Sequence, residues 1–238
     1  MIRRAVAVGL VAVLGAACSS SDPTPDPSTA PTASIVATTS PAVASSTAVA
    51  STTSSAAVTS NAVTIGAEVL GDNGTVRDVT ASIDAVDAKL IDLCPSIGRR
   101  RIRYHAERRN RVVVKERQPL PTISDDLSIF AESNAAADVF NAYASAAMIR
   151  CYPKLAGGSG LALGGVTTQR VPIDDVGDAA AAIRLRGTSV VGGLATQVTT
   201  ELIVVQRGVA LHVIVATWSD LFPLTATQRR AIVQAAGA

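Results

Sequence analysis

Aromatic residues make up only 3% of this 238-residue chain, which holds two histidines, three cysteines and one tryptophan. Each shortage removes a class of function. His105 and His212 are too few, and too isolated from cysteines and carboxylates, to show the converging ligand spacing of a metal site. A serine hydrolase needs its nucleophile on a sharp turn with a histidine partner. The stretch "GGSGL" at Gly157–Leu161 misses that pattern, because Leu161 stands where a glycine is required. It also lacks the Lys-Ser/Thr pair of a phosphate loop. Asp174, Asp175 and Asp178 lack the spacing of a calcium loop and read as carboxylates capping a turn. The reading is therefore of a non-enzymatic chain, with no catalytic residues, no metal and no cofactor assigned. Charge is equally uninformative as a whole. Without Arg3 and Arg4, the 21 basic residues become 19 against 19 acidic ones, which removes any electrostatic basis for nucleic-acid binding.

What is present begins with an address. Arg3 and Arg4 precede an apolar run from Ala5 to about Leu14, too short to span a bilayer permanently, then Gly15, Ala16, Ala17 and Cys18. Small residues followed at once by a cysteine resemble the lipobox of bacterial lipoproteins. That resemblance implies cleavage after residue 17, diacylglycerol on the Cys18 thiol, and residence on the outer face of the cell membrane. The alternative is an ordinary secretory peptide with Cys18 incidental. From Ser19 to Asn61 roughly half the residues are Ser or Thr, and Asp22 and Asp26 are the only charges. Repeated proline and the absence of apolar periodicity predict a disordered tether over 18–62, ahead of one extracytoplasmic domain over 63–238. With Cys18 lipidated, Cys94 and Cys151 are the thiols left in an oxidising compartment. They are expected to pair, the alternative being two separately buried thiols.

Within the domain, Val79, Ile83, Val86, Leu90 and Leu93 recur at steps of four and three, predicting a first helix capped by Asp78 and stopped by Pro95. A β-hairpin is expected across Arg99–Arg117, with its turn at Arg109-Asn110. A short strand follows near Leu127–Ala131. A second helix is then predicted from Ser133 or Asn134 through Cys151, burying Val139, Phe140, Tyr143 and Ala147. Strands are expected near Val166–Val171 and Ala179–Arg186. The run "VTTELIVVQRGVALHVIVATW" reads as two strands meeting at Arg207-Gly208, where glycine supplies positive φ. A closing helix opens at Thr225, with Gln228 completing a capping box. The predicted class is α+β, an antiparallel sheet with helices on one face.

The one strong charge feature lies inside that predicted hairpin. Nine of the nineteen residues from Arg99 to Arg117 are Lys or Arg, opposed only by Glu107 and Glu116. Arg99, Arg100, Arg101, Arg103, Arg108, Arg109 and Arg111 are accordingly candidates to touch an anionic lipid surface or cell-envelope polymer. The competing reading is a solvated hairpin whose arginines pair with nearby carboxylates.

The order of elements, the helix ending at Cys151, the step "VGDAAA" at Val176–Ala181 and the hairpin "VVQRG" at Val204–Gly208 resemble one known family. It is the extracellular sensor-type domain of actinobacterial receptor serine/threonine kinases and of many small mycobacterial lipoproteins. The likeness covers about residues 78–238. It implies a disulfide-supported sheet-and-helix domain with a ligand cleft, acting as a sensor or binding module. A lipid- or glycolipid-carrying lipoprotein is the other expectation, and it requires an apolar cavity instead of a polar cleft.

Overall fold

The computed structural model describes residues 63–71, 74–78, 83–157, 162–191 and 193–238. The leader over 1–17, Cys18 and the tether over 18–62 lie outside the described residues, as do Val79 and residues 158–161 of the glycine-rich stretch.

Strands β1 (Gly74–Asp78), β2 (Ala106–Lys115) and β3 (Thr122–Phe130) form one antiparallel meander. Strands β4 (Gly164–Val171), β5 (Ala179–Val191), β6 (Leu194–Arg207) and β7 (Ala210–Ser219) form a second. Pairing of β3 with β7 joins them into one seven-stranded sheet, ordered β1-β2-β3-β7-β6-β5-β4. The helices are α1 (Ile83–Leu93), α2 (Pro95–Arg103), α3 (Ser133–Tyr143), α4 (Ala146–Gly157) and α5 (Ala226–Gly237). The class is α+β, as the pattern of elements predicts.

Period-two alternation on the central strands sorts the core into two layers. Leu202, Val204, Leu211 and Val213 pack under α1–α4. Ile203, Val205, Ile214 and Ala216 face the other way, against α5 and a short 3-10 turn at Ala67–Leu70. Helices therefore cover both faces, four on one and the closing helix on the other, and not one face alone. The reason is visible in β6, where residues 198–206 are all buried: a strand apolar on both sides needs a cover on both sides.

Local signals place the rest. Gly208 (φ 55°) makes the tight β6–β7 turn that closes the Arg207–Ala210 pair. Thr225 and Gln228 cap α5 reciprocally. Pro95 ends α1 and at the same time occupies the first turn of α2, where its missing N–H costs nothing.

Three expectations are corrected. Asp78 closes β1, and the first helix is described only from Ile83. The second helix is two, because the Ser145 hydroxyl donates to the Ala142 carbonyl (2.7 Å) and draws the chain out of the helix before α4 restarts. Helix α4 then continues past Cys151 through Pro153, held by the buried Tyr152 and Ala156. Most important, the basic hairpin does not exist. Arg99–Arg103 belong to α2, while Arg109 and Asn110 lie mid-strand in β2, paired with Leu127 and Asp126 of β3.

A candidate apolar cavity beneath the helical layer

The sheet face under α1–α4 does not close completely. A cavity of about 510 Å³ remains between helices and strands, within the ~300–1,000 Å³ usual for small-molecule sites. Its floor is built from three adjacent strands in register. Thr122 of β3, Thr217 of β7 and Thr200 of β6 form one rung, and the Thr217 and Thr200 hydroxyls are 3.4 Å apart. Ser124, Val215 and Leu202 form the next. Asp126 opposite Val213 begins the third. The floor thus grades from threonine at one end, through aliphatic side chains, to a carboxylate at the other.

Helical spacing supplies the roof. Val86, Lys89 and Leu90 share one face of α1, and Met148, Tyr152, Leu155 and Ala156 share one face of α4. Val86, Lys89, Pro119 and Ser124 are exposed and form the mouth, whereas Met148, Leu202, Tyr152 and Tyr143 are at most 4% exposed and form the deep wall. Burying an alkyl chain against such a lining is worth about 0.8 kcal/mol per CH₂.

A buried ion cluster braces the Asp126 end. Arg101 of α2 is 2% exposed, and each of its three guanidinium nitrogens is engaged. Nε donates to Asp87 (2.7 Å), one terminal nitrogen to the Tyr143 hydroxyl (3.2 Å), and the other to Asp126. Arg108 of β2 donates to the second oxygen of Asp87. Burial opposes the Arg101 charge, but Tyr143, Asp126 and Asp87 more than offset it and hold its pKa above the ordinary value. Burial raises Asp126 above the usual carboxylate range against the pull of Arg101. Burial likewise raises the Tyr143 phenol. The Tyr152 phenol is pushed up further, by burial and then by the negative charge of Glu201.

Two residues of the lining each hold a polar atom that is fully buried, turned away from the open space, and without a hydrogen-bond partner among the described residues: Oδ1 of Asp126 and the Tyr152 hydroxyl. Buried polar groups are nearly always paired, so both call for a partner.

The sequence-derived candidates scatter. Arg101 and Arg108 are removed from any surface by the Asp87 and Asp126 pairings. Arg100 pairs with Asp138 (2.6 Å) and Arg109 with Glu107 (2.7 Å). Arg111 is half-buried in β2, and Arg99 and Arg103 are exposed on α2. Arg101 and Arg108 are thus unavailable to a surface partner, while Arg99, Arg100 and Arg103 on α2 and Arg109 on β2 remain exposed. Cys94 and Cys151 do come together at disulfide distance, with Cα atoms 5.8 Å apart. They join the start of α2 to α4, the helix that carries half the cavity roof. His105 is exposed. His212 is buried, its Nδ1 3.0 Å from Asp125, whose other oxygen accepts from the Ile65 amide (2.9 Å). It is a satisfied core residue.

Tyr152 and Asp126 were not among those candidates, and Arg101 was one only as a surface charge. The Met148–Tyr152–Leu155–Ala156 spacing carried a signal for one helix face, but Pro153 obscured it. No family model, curated protein or solved structure matches this chain.

Proposed function

We propose that the protein is an exported, membrane-anchored binding protein whose domain takes up an apolar small molecule, as a lipid carrier does. The observation that supports this reading is the 510 Å³ cavity, open at Val86 and Pro119 and lined inward by Leu90, Met148, Leu155, Leu202, Val213 and Val215. A sensor cleft for a polar ligand needs convergent polar groups along its length; here they are dispersed, Lys89 and Ser124 at the mouth, the threonines at one end of the floor and Asp126 at the other, with aliphatic side chains between. The resemblance to sensor-type lipoprotein domains agrees with a ligand-binding role. The anchor rests on Cys18 and the residues before it.

The test is saturable binding of a neutral apolar dye, N-phenyl-1-naphthylamine, to the purified full chain. One site per chain is expected, abolished by Ala156→Trp in a variant that keeps its far-ultraviolet circular dichroism. Absence of saturable binding to the unaltered chain would overturn the carrier reading. For the anchor, Cys18→Ala should release the mature protein from the membrane fraction; retention there would overturn it.

A further inference from the structure

Apolar exposure in this domain is concentrated at one end of the sheet. Eight large apolar side chains are exposed among the described residues, and four of them, Val166, Val190, Leu194 and Leu221, are 40%, 69%, 60% and 44% exposed. The register places all four at the same end. Leu194 opens β6 and pairs with Val191, and Val190 lies one residue before that pair on β5. Leu221 follows Ser219, the last residue of β7, which pairs with Val198. Val166 lies near the start of β4, beside the Gly164–Thr188 pair. Beyond the Val198–Ser219 and Gly164–Thr188 pairs, the β5–β6 hairpin has no strand on either side. At the rise of a strand, the stretch from Val198 back to Leu194 carries it about 13 Å past β7. Val190 and Leu194 point to opposite faces, so the projecting tip is apolar on both.

The cavity opens toward the same end. Pro119, exposed at the mouth, stands just ahead of β3, and the Thr122–Thr217–Thr200 rung is the edge of the floor nearest to it. That rung spans β3 to β6 in two strand spacings, roughly 10 Å. An apolar ligand leaving past Pro119 therefore emerges at the apolar end of the sheet.

Number and shape decide the occupant. A stable protein–protein contact takes about 20–30 residues a side, and four side chains spread over three segments do not make such a face. Separate apolar tips suit a bilayer, which deforms around each and needs no matching shape. Arg117 and Arg186 are exposed near this end, as are Glu116 and Asp220, so its borders carry both signs of charge.

We infer that this end of the sheet docks on a lipid bilayer, with Val190 and Leu194 entering the acyl boundary and the cavity mouth turned toward the membrane that supplies its ligand. The inference rests on the carrier reading for the passage of ligand and adds the docking surface.

The experiment places a tryptophan at either end of the sheet in the full chain: Leu194→Trp at the tip, and Ala131→Trp, also exposed, just past β3 at the opposite end. Emission is compared in phosphatidylcholine vesicles with and without bromine at mid acyl chain, and the Trp218 contribution is subtracted with the unaltered chain. Bromine quenches only at short range, so an anchor elsewhere in the chain quenches neither site. At an insertion depth of ~5–10 Å, Leu194→Trp is expected to lose roughly half its emission and Ala131→Trp none. Adding Val190→Asp to Leu194→Trp is expected to restore the emission, because a carboxylate at the tip opposes insertion. An unquenched Leu194→Trp, equal quenching at both ends, or quenching indifferent to Val190→Asp would overturn the docking surface. Absent quenching together with self-association that Val190→Asp abolishes would assign this end to contact between two copies instead. Failure of N-phenyl-1-naphthylamine to bind without vesicles would remove the carrier reading, and the quenching result would stand apart from it.

Discussion

Arg101 of α2 and Asp126 of β3, twenty-five residues apart, are joined by a charge-assisted hydrogen bond beneath the helical layer, with side-chain exposures of 2% and 15%. The guanidinium also holds Asp87 of α1, so one side chain links two helices to the sheet beside the cavity. Replacing Arg101 with Met leaves two buried carboxylates short of a partner, and breaking such a pair costs about 3–5 kcal/mol. Urea unfolding of Arg101→Met at pH 7 should show a loss of that size at unchanged slope. A loss below about 1 kcal/mol would mean that water reaches the cluster freely.

The Cys94–Cys151 pair closes a sequence separation of 57 residues. By loop-closure entropy such a bond contributes about 4 kcal/mol before strain. Non-reduced digestion of protein purified under oxidising conditions should yield one linked peptide carrying both cysteines. The double Cys→Ala variant should unfold at markedly lower temperature. Separately alkylatable cysteines in that material would contradict the bond.

Tyr143 and Tyr152 give a pH dependence with a definite sign. Their folded pKa values lie above the unfolded value of about 10, because burial disfavours the phenolate. The stability they contribute is complete below pH 10 and is lost as pH rises above it, since only the unfolded chain ionises them readily. Ultraviolet titration should show the phenolate absorbance of Tyr143 and Tyr152 arriving together with unfolding. Ionisation of both in a chain that retains its circular dichroism would refute this.

Gly177 and Gln206 are the fourth test. Gly177 has φ 63°, and a Cβ there would lie 2.4 Å from the Gln206 carbonyl oxygen. Next to it, the Asp178 amide donates to that same carbonyl (2.8 Å), and the Asp178 carboxylate accepts from the Gly208 amide (2.6 Å). The "VGDAAA" and "VVQRG" segments are thus two halves of one corner. Gly177→Ala should cost about 3 kcal/mol, part of it conformational and part steric. Chemical denaturation would measure it; a neutral result would mean that the β6–β7 turn gives way easily.

Much of the fold was legible because local chemistry and tertiary demand agreed. The β6–β7 hairpin, the α5 capping box and the buried face of α3 follow from glycine, threonine–glutamine spacing and apolar period, whereas on α1 Leu90 is buried and Val86 is exposed. The helix α2 was not legible for a specific reason. Ile97 and Arg101 stand four residues apart on its buried face, and an arginine read as polar erases the period that an apolar residue would have shown. The same arginine, taken as surface charge, suggested a hairpin that the structure does not have and a surface role that its burial rules out.

The sequence by itself determined the alternation of elements, the turn chemistry, the apolar stripes and the two cysteines available to pair. These are properties of residues within one helix turn or one strand of each other. Only the tertiary structure decided that Asp87, Arg101, Arg108 and Asp126 neutralise one another in the interior. It also decided that α5 covers the opposite face, and that Tyr152 and Asp126 end up lining one space. The last depends on pairing β3 with β7 across more than eighty residues. No local preference reports such a contact, because its free energy exists only once both layers have closed over it.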